Sequence, residues 1–284
     1  MRPPPGVRRS AAHKLAAMAP AHEHPAIAAA LEAPLPLASD LTRDPPTNQG
    51  RSSSCTAHAL VKGVEIVTGF RGSMHALYSV VGAMEGSLAD NGRECVDCLA
   101  AVRTSGLAPF EGPSPDGRSS DVWTAEDTSA APPNVSLAVT AGELALAREH
   151  LADLGQHTID PHAPNLSDLV VASLASGAPV YLGTQVGGAF EDLGNGTVAQ
   201  PDPAGDPSAG GHALLIVGHR TNADGSRDFL VENSWGEAWS GKGECWASLA
   251  WVAACWELHP LILAKPDASL GFIGRIVEEL KEIA

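Results

Sequence analysis

Nowhere along the chain does an apolar run approach the roughly 20 residues that a membrane-spanning helix needs, which argues against a membrane protein. The first 40 residues also lack a leader's hydrophobic core. Lys14, Pro20, His22, Glu23, His24 and Pro25 break each apolar stretch before the about 7–15 residues of a signal-peptide core accumulate. Positive charge is scarce: 18 Lys and Arg stand against 33 Asp and Glu, for a formal net charge of −15. Nucleic-acid affinity rests largely on clustered Lys and Arg, so this balance argues against nucleic acid as a partner. The five cysteines (55, 95, 98, 245 and 255) form an odd set without a secretory signal, which points to free thiols in a reducing compartment rather than a disulfide framework. A cytoplasmic protein is expected. No repeat of fixed period is present.

What the chain does have is length and core material. With 284 residues and 44% hydrophobic content it is globular and needs no disulfide to hold it. Residues 1–40, rich in Ala and Pro and without a steady period, read as a flexible arm with one short helix at 26–32. The folded region is expected over 41–265, with a helical lobe at about 41–135 and a β lobe at about 136–265. In the first, Ala57, Leu60, Val61, Val64 and Val67 recur at helical spacing from Cys55 to Thr68, with Ser53 and Ser54 available to cap the first turn. Residues 76–108 continue in a helical pattern interrupted by Gly and Asn, and "GLAPFEGPSPDGRSSD" reads as a long loop. Helix-like runs follow at 141–154 and 166–176. Strand-like runs then take over at 179–186, 212–219, 228–235 and 244–252. The tail at 266–284 carries Ile273, Ile276, Leu280 and Ile283 three and four apart, with Phe272 and Val277 widening the stripe. It is expected to form an amphipathic helix, buried on its own domain or against a partner or second copy.

The chemistry concentrates around one thiol. Cys55, placed at a helix N-terminus, would have its thiolate favoured by the helix dipole and further by a nearby imidazolium. Of the 11 histidines, His212 is best placed as its base: "GGHALLIVG" sets it at the start of a strongly β run, after glycines that permit close backbone approach. Asn233, at the end of a neighbouring strand-like run reached through the turn at 221–227, could orient the imidazole. Rival readings exist. His58 lies one turn after Cys55, but a side chain on the same helix projects from its flank rather than over its end. Cys95 and Cys98 could pair with Cys245 and Cys255 at a zinc ion, yet their spacing also fits ordinary packing.

The order of these motifs resembles the papain-like cysteine peptidase family. "NQG" at 48–50 places Gln49 six residues before Cys55, "GGHA" stands at 210–213 and "NSWG" at 233–236. The resemblance implies an α+β, papain-like two-lobed fold: a helical lobe carrying Cys55, a β-barrel-like lobe carrying His212 and Asn233, and a cleft between them. It implies that Gln49 and the Cys55 N–H hold an oxyanion, that Trp235 shields the His212–Asn233 hydrogen bond, and that Asn91, Gly92 and Gly211 line the substrate path. It calls for no metal or organic cofactor. The reaction implied is hydrolysis of a peptide or protein substrate through an acyl-enzyme. Acyl transfer by the same triad, or an idle papain-fold binding module, are the alternatives. The chain departs from the family pattern at Ser52, where a bridged cysteine is usual, and at Thr56, where an aromatic is usual.

Overall fold

The computed structural model describes residues 6–42, 45–50, 52–87, 89–110, 145, 147–150, 152–202 and 206–263. Along the chain these form β1 (Val7–Arg8), α1 (Ala12–Leu15), β2 (Ala19–Pro20), α2 (Pro25–Glu32), β3 (Ala38–Asp40), α3 (Cys55–Thr68), α4 (Met74–Met84), β4 (Arg93–Glu94), α5 (Cys95–Ser105), β5 (His157–Thr158), α6 (Leu166–Ala175), β6 (Val180–Val186), β7 (Val198–Ala199), β8 (Gly210–Thr221), β9 (Arg227–Glu232), β10 (Glu244–Ser248) and β11 (Glu257–Pro260). The expected tail helix at 266–284 and most of the expected loop at 106–121 lie outside the described residues.

The sheet organises the molecule. Among the described residues seven strands join in the order β11-β6-β8-β9-β10-β7, with β3 added antiparallel to β8. Strand side chains alternate between faces, and β8 is apolar on both. Ala213, Leu215 and Val217 pack into one core with α3, α4 and α5, while Leu214 and Ile216 pack into a second with α6. A strand buried on both faces reads as a continuous apolar run, as "HALLIVG" does.

α3 runs against that sheet and is buried nearly all round, from Cys55 to Ile66. A stripe alone would not require this; the close approach does. A Cβ on Gly63 would come within 2.1 Å of Leu261 Cδ1 and 3.1 Å of Leu215 Cδ1, so a residue that weakens an isolated helix by about 1 kcal/mol here lets the helix reach the sheet. Gly69, in the left-handed conformation at φ 74°, ends the helix. The expected serine cap is not made through a side chain. Ser54 is the N-cap but its carbonyl, not its hydroxyl, accepts the Ala57 and His58 N–H groups.

Two expectations are corrected. The run 244–252 is a strand only to Ser248, whose hydroxyl accepts the Trp251 N–H and starts a short helix at Leu249–Ala253. The stretch 6–40, read as a flexible arm, is fastened to the rest of the chain at several points. Ile27 of α2 is fully buried in the core beside α6, β2 pairs with β5, and β3 lies on β8 through Ala38↔Arg220 and Asp40↔Gly218. Its Ala and Pro content hides this, because strands of two or three residues and a helix with a single buried side chain, Ile27, leave little periodicity to detect.

Candidate active site

Cys55 opens α3, and the turn before it is held from two sides. Gln49 donates its backbone N–H to the Ser234 carbonyl at 2.8 Å and its carboxamide N–H to the Ser52 carbonyl at 2.7 Å. Its Oε1 accepts the Ser234 hydroxyl at 2.6 Å. Ser52 in turn donates its backbone N–H and its hydroxyl to the Gln49 carbonyl. A β-bridge between Asn48 and Trp235 continues this seam. The expected oxyanion donor is therefore a fully buried group whose orientation is fixed by both lobes.

His212, on β8, and Asn233, just past β9, meet as their adjacent strands require: Nε2 lies 2.8 Å from Oδ1, and both side chains are buried. The network also determines where the proton sits. The Ser234 N–H donates to the same Oδ1 at 2.8 Å, so that atom is an acceptor and His212 Nε2 carries the hydrogen. Nδ1 is then the basic nitrogen of the ring. Trp235 stacks on the imidazole at 4.7 Å between centroids and 25° between planes, covering the histidine–asparagine bond with an apolar face.

The Cys55 thiol is fully buried, and burial pushes it up to about 12. Hydrogen bonding from the backbone of Ala213, Thr56 and Cys55 itself pulls the other way, and the Asp90 carboxylate opposes that pull. Burial thus opposes the thiolate that the helix dipole is expected to favour, and the segment beginning at Gly6 is what lies over the sulfur. Gly6 crosses it so closely that a Cβ there would lie 2.4 Å from Sγ and 2.9 Å from the Ser53 carbonyl oxygen.

Residues 6–14 are fastened in this position along both walls of the cleft. Gly6 donates its N–H to the Gly211 carbonyl at 3.1 Å and accepts the Arg93 N–H at 3.2 Å. β1 pairs in parallel with β4 through Val7↔Arg93 and Arg8↔Glu94. Arg8 donates to the Gly92 carbonyl and pairs with Glu85, and Lys14 pairs with Glu94 and Asp97. The Ser10 N–H reaches buried Glu257. Of the residues expected along the substrate path, Gly92 and Gly211 thus touch the chain's own N-terminal segment. Asn91 instead accepts from the Arg93 guanidinium.

The rival histidine stands apart from this chemistry. His58 Nδ1 bonds the Thr47 hydroxyl at 2.8 Å, and its ring faces His75 edge-on. Cys95 and Cys98 are buried in the helical core, and the described residues contain no cluster of three or more His, Cys, Asp or Glu able to hold a metal ion. Sequence reasoning missed Asp90 and Tyr78, which hold the turn before Cys55, and Gly6, which covers it. The one available signal for Asp90 was its position directly before the Asn-Gly pair.

Residues 155–251, which include His212 and Asn233 but not Cys55, match the family model described as papain family cysteine protease. Among solved structures the chain is similar to xylellain, a cysteine protease from Xylella fastidiosa (22% identity, TM-score 0.67, covering 92% of this chain and 96% of that one). It is also similar to procathepsin B S9 from Trypanosoma congolense (14%, 0.60, 91% and 87%) and to the bromelain protease from Ananas comosus (15%, 0.57, 80% and 100%). No curated protein sequence matches. The chain has the α+β papain-like fold, and what it shares with the papain family model is the segment bearing His212 and Asn233.

Proposed function

We propose that the chain is a cysteine-type endopeptidase that hydrolyses peptide bonds through an acyl-enzyme. The observation that supports this reading best is the His212–Asn233–Trp235 arrangement. A protonated Nε2, tied to an asparagine oxygen and roofed by an indole, leaves Nδ1 as a base of fixed direction. Nδ1 takes the Cys55 proton, and the sulfur electron pair attacks the substrate carbonyl carbon. The oxygen gains the charge and is held by the Cys55 N–H and the Gln49 side chain, donors worth roughly 3–4 kcal/mol of barrier each in other enzymes. Collapse of the intermediate breaks the C–N bond. The amine leaves with the proton from His212, and a water, deprotonated by the same nitrogen, then releases the acid and restores the thiol.

Residues 6–8 occupy the space a peptide backbone would need, so turnover requires them to move. The test is a peptide-library digest read by mass spectrometry, with and without an added amine. Cys55→Ala and His212→Ala are expected to abolish cleavage with the fold retained by circular dichroism, and Asn233→Ala to impair it less. Full cleavage by Cys55→Ala overturns the reading. Amine-capped products would make the chain an acyl transferase instead.

A further inference from the structure

The turn that carries Cys55 is tied to the 90–93 segment by one residue, Asp90. The Ser53 N–H donates to Asp90 Oδ1 at 2.9 Å, and the Ser53 hydroxyl donates to the Asp90 carbonyl at 3.2 Å. The Tyr78 hydroxyl donates to the same Oδ1 at 3.0 Å and accepts the Gly92 N–H at 3.1 Å. The fully buried Arg93 guanidinium lies 4.5 Å over the Tyr78 ring and donates to Asn91 Oδ1 and to the Gly92 carbonyl. Ser53 and Tyr78 are fully buried as well. Two separate segments, 52–54 and 90–93, therefore meet at Asp90, and no disulfide joins them: all five cysteines are free.

We propose that Asp90 is a positioning residue: its side chain and carbonyl clamp the Ser53 turn to the 91–93 edge and so set the Cys55 N–H and thiol against the backbone that receives the substrate. This rests on the peptidase reading above. The chemistry follows from reach. Cys55 lies two residues beyond Ser53, and a misplacement of about 1 Å between nucleophile and bound carbonyl can lower turnover about a hundredfold. The clamp has a side effect that makes it testable. Its carboxylate faces Cys55 and disfavours the thiolate. Among the described residues, Cys95 of α5 and Tyr181 of β6 also lie near enough to the sulfur to interact with it, and burial holds both neutral.

Asp90→Asn keeps an acceptor oxygen for Ser53 and Tyr78 but removes the charge, whereas Asp90→Ala removes both. In the full-length chain, Asp90→Asn is expected to hold kcat within about threefold while the acid limb of kcat/KM moves to lower pH. Asp90→Ala is expected to lose about ten- to a hundredfold in kcat with little change in KM. Tyr78→Phe, which leaves Asp90 its Ser53 bonds, should fall between them. Iodoacetamide labelling of Cys55 against pH, read by peptide mass, reports the charge effect without any peptidase activity, and its midpoint should fall in Asp90→Asn. An Asp90→Ala protein with wild-type kcat overturns the proposal, as does an Asp90→Asn protein as slow as Asp90→Ala. If no variant cleaves peptide, wild type included, the peptidase reading fails, while the rate of Cys55 labelling in Asp90→Ala against Asp90→Asn still decides the clamp: equal rates in the two overturn it.

Discussion

At the scale of single residues, the buried histidines are separable by their partners. His212 is held by Asn233 and covered by Trp235, whereas His58 and His75 are buried with Nε2 atoms that have no hydrogen-bond partner among the described residues. Burial drives both of these imidazoles down, His58 to about 3 and His75 to about 4 from 6.5, with each other's charge adding to the effect at His58. The sign follows from proton uptake. Below pH 6.5 the unfolded chain binds protons that the native rings refuse, so this contribution to stability is complete above 6.5 and is lost as the pH falls towards 4. Urea midpoints measured at pH 7 and pH 5 are expected to fall between the two for the native chain and to fall less for His75→Leu. An equal fall in both would show that His75 does not set the acid limit. Gly6 is a second single-atom matter. Gly6→Ala places a methyl group against Cys55 Sγ and the Ser53 carbonyl, so the segment must lift, and Cys55 alkylation is expected to quicken by at least tenfold. Unchanged labelling would mean that the segment yields in solution without help.

Among the elements, those decided by local pattern were legible and those decided by distant contacts were not. α3 runs from Cys55 to Thr68 as its apolar spacing and Gly69 indicate, and β8 and β9 form the hairpin read from "HALLIVG" and "DFLVE". His212 and Asn233 were expected close together from the two strand-like runs that bear them, and their side chains meet, whereas Gln49 was named only by the family resemblance. The fastening of residues 6–40 was not legible, since it joins Ala11 to Glu94 across 83 positions and Ser10 to Glu257 across 247. Nor was the burial of Cys55, which depends on the segment that lies over it. This changes what truncation should do. Removing residues 1–15 uncovers Cys55 but leaves α2 and β3 in place, so cleavage should rise with only a small loss in melting temperature. Removing residues 1–38 also takes away Ile27 from the core, a deletion of the kind that costs about 2–5 kcal/mol even for one side chain. That protein should melt many degrees lower; calorimetry and turnover on both truncations check the pair.

For the whole molecule, the consequence of a cleft filled by the chain's own strand is kinetic. β1 is not a free inhibitor that dilution can remove: it is tethered, and a tether of this kind presents a group at an effective concentration on the order of millimolar or higher. On the peptidase reading proposed above, a substrate competes with a rival whose local concentration never changes, and its apparent affinity is scaled by the fraction of molecules in which the strand has lifted. The expected signature is a raised KM with an unaltered kcat, and a specific activity that stays constant across a hundredfold range of enzyme concentration. Gly6→Ala should lower KM alone. Specific activity that climbs on dilution would instead mean that the strand in each cleft comes from another molecule, and the same contacts would then describe an exchange between chains rather than a latch within one.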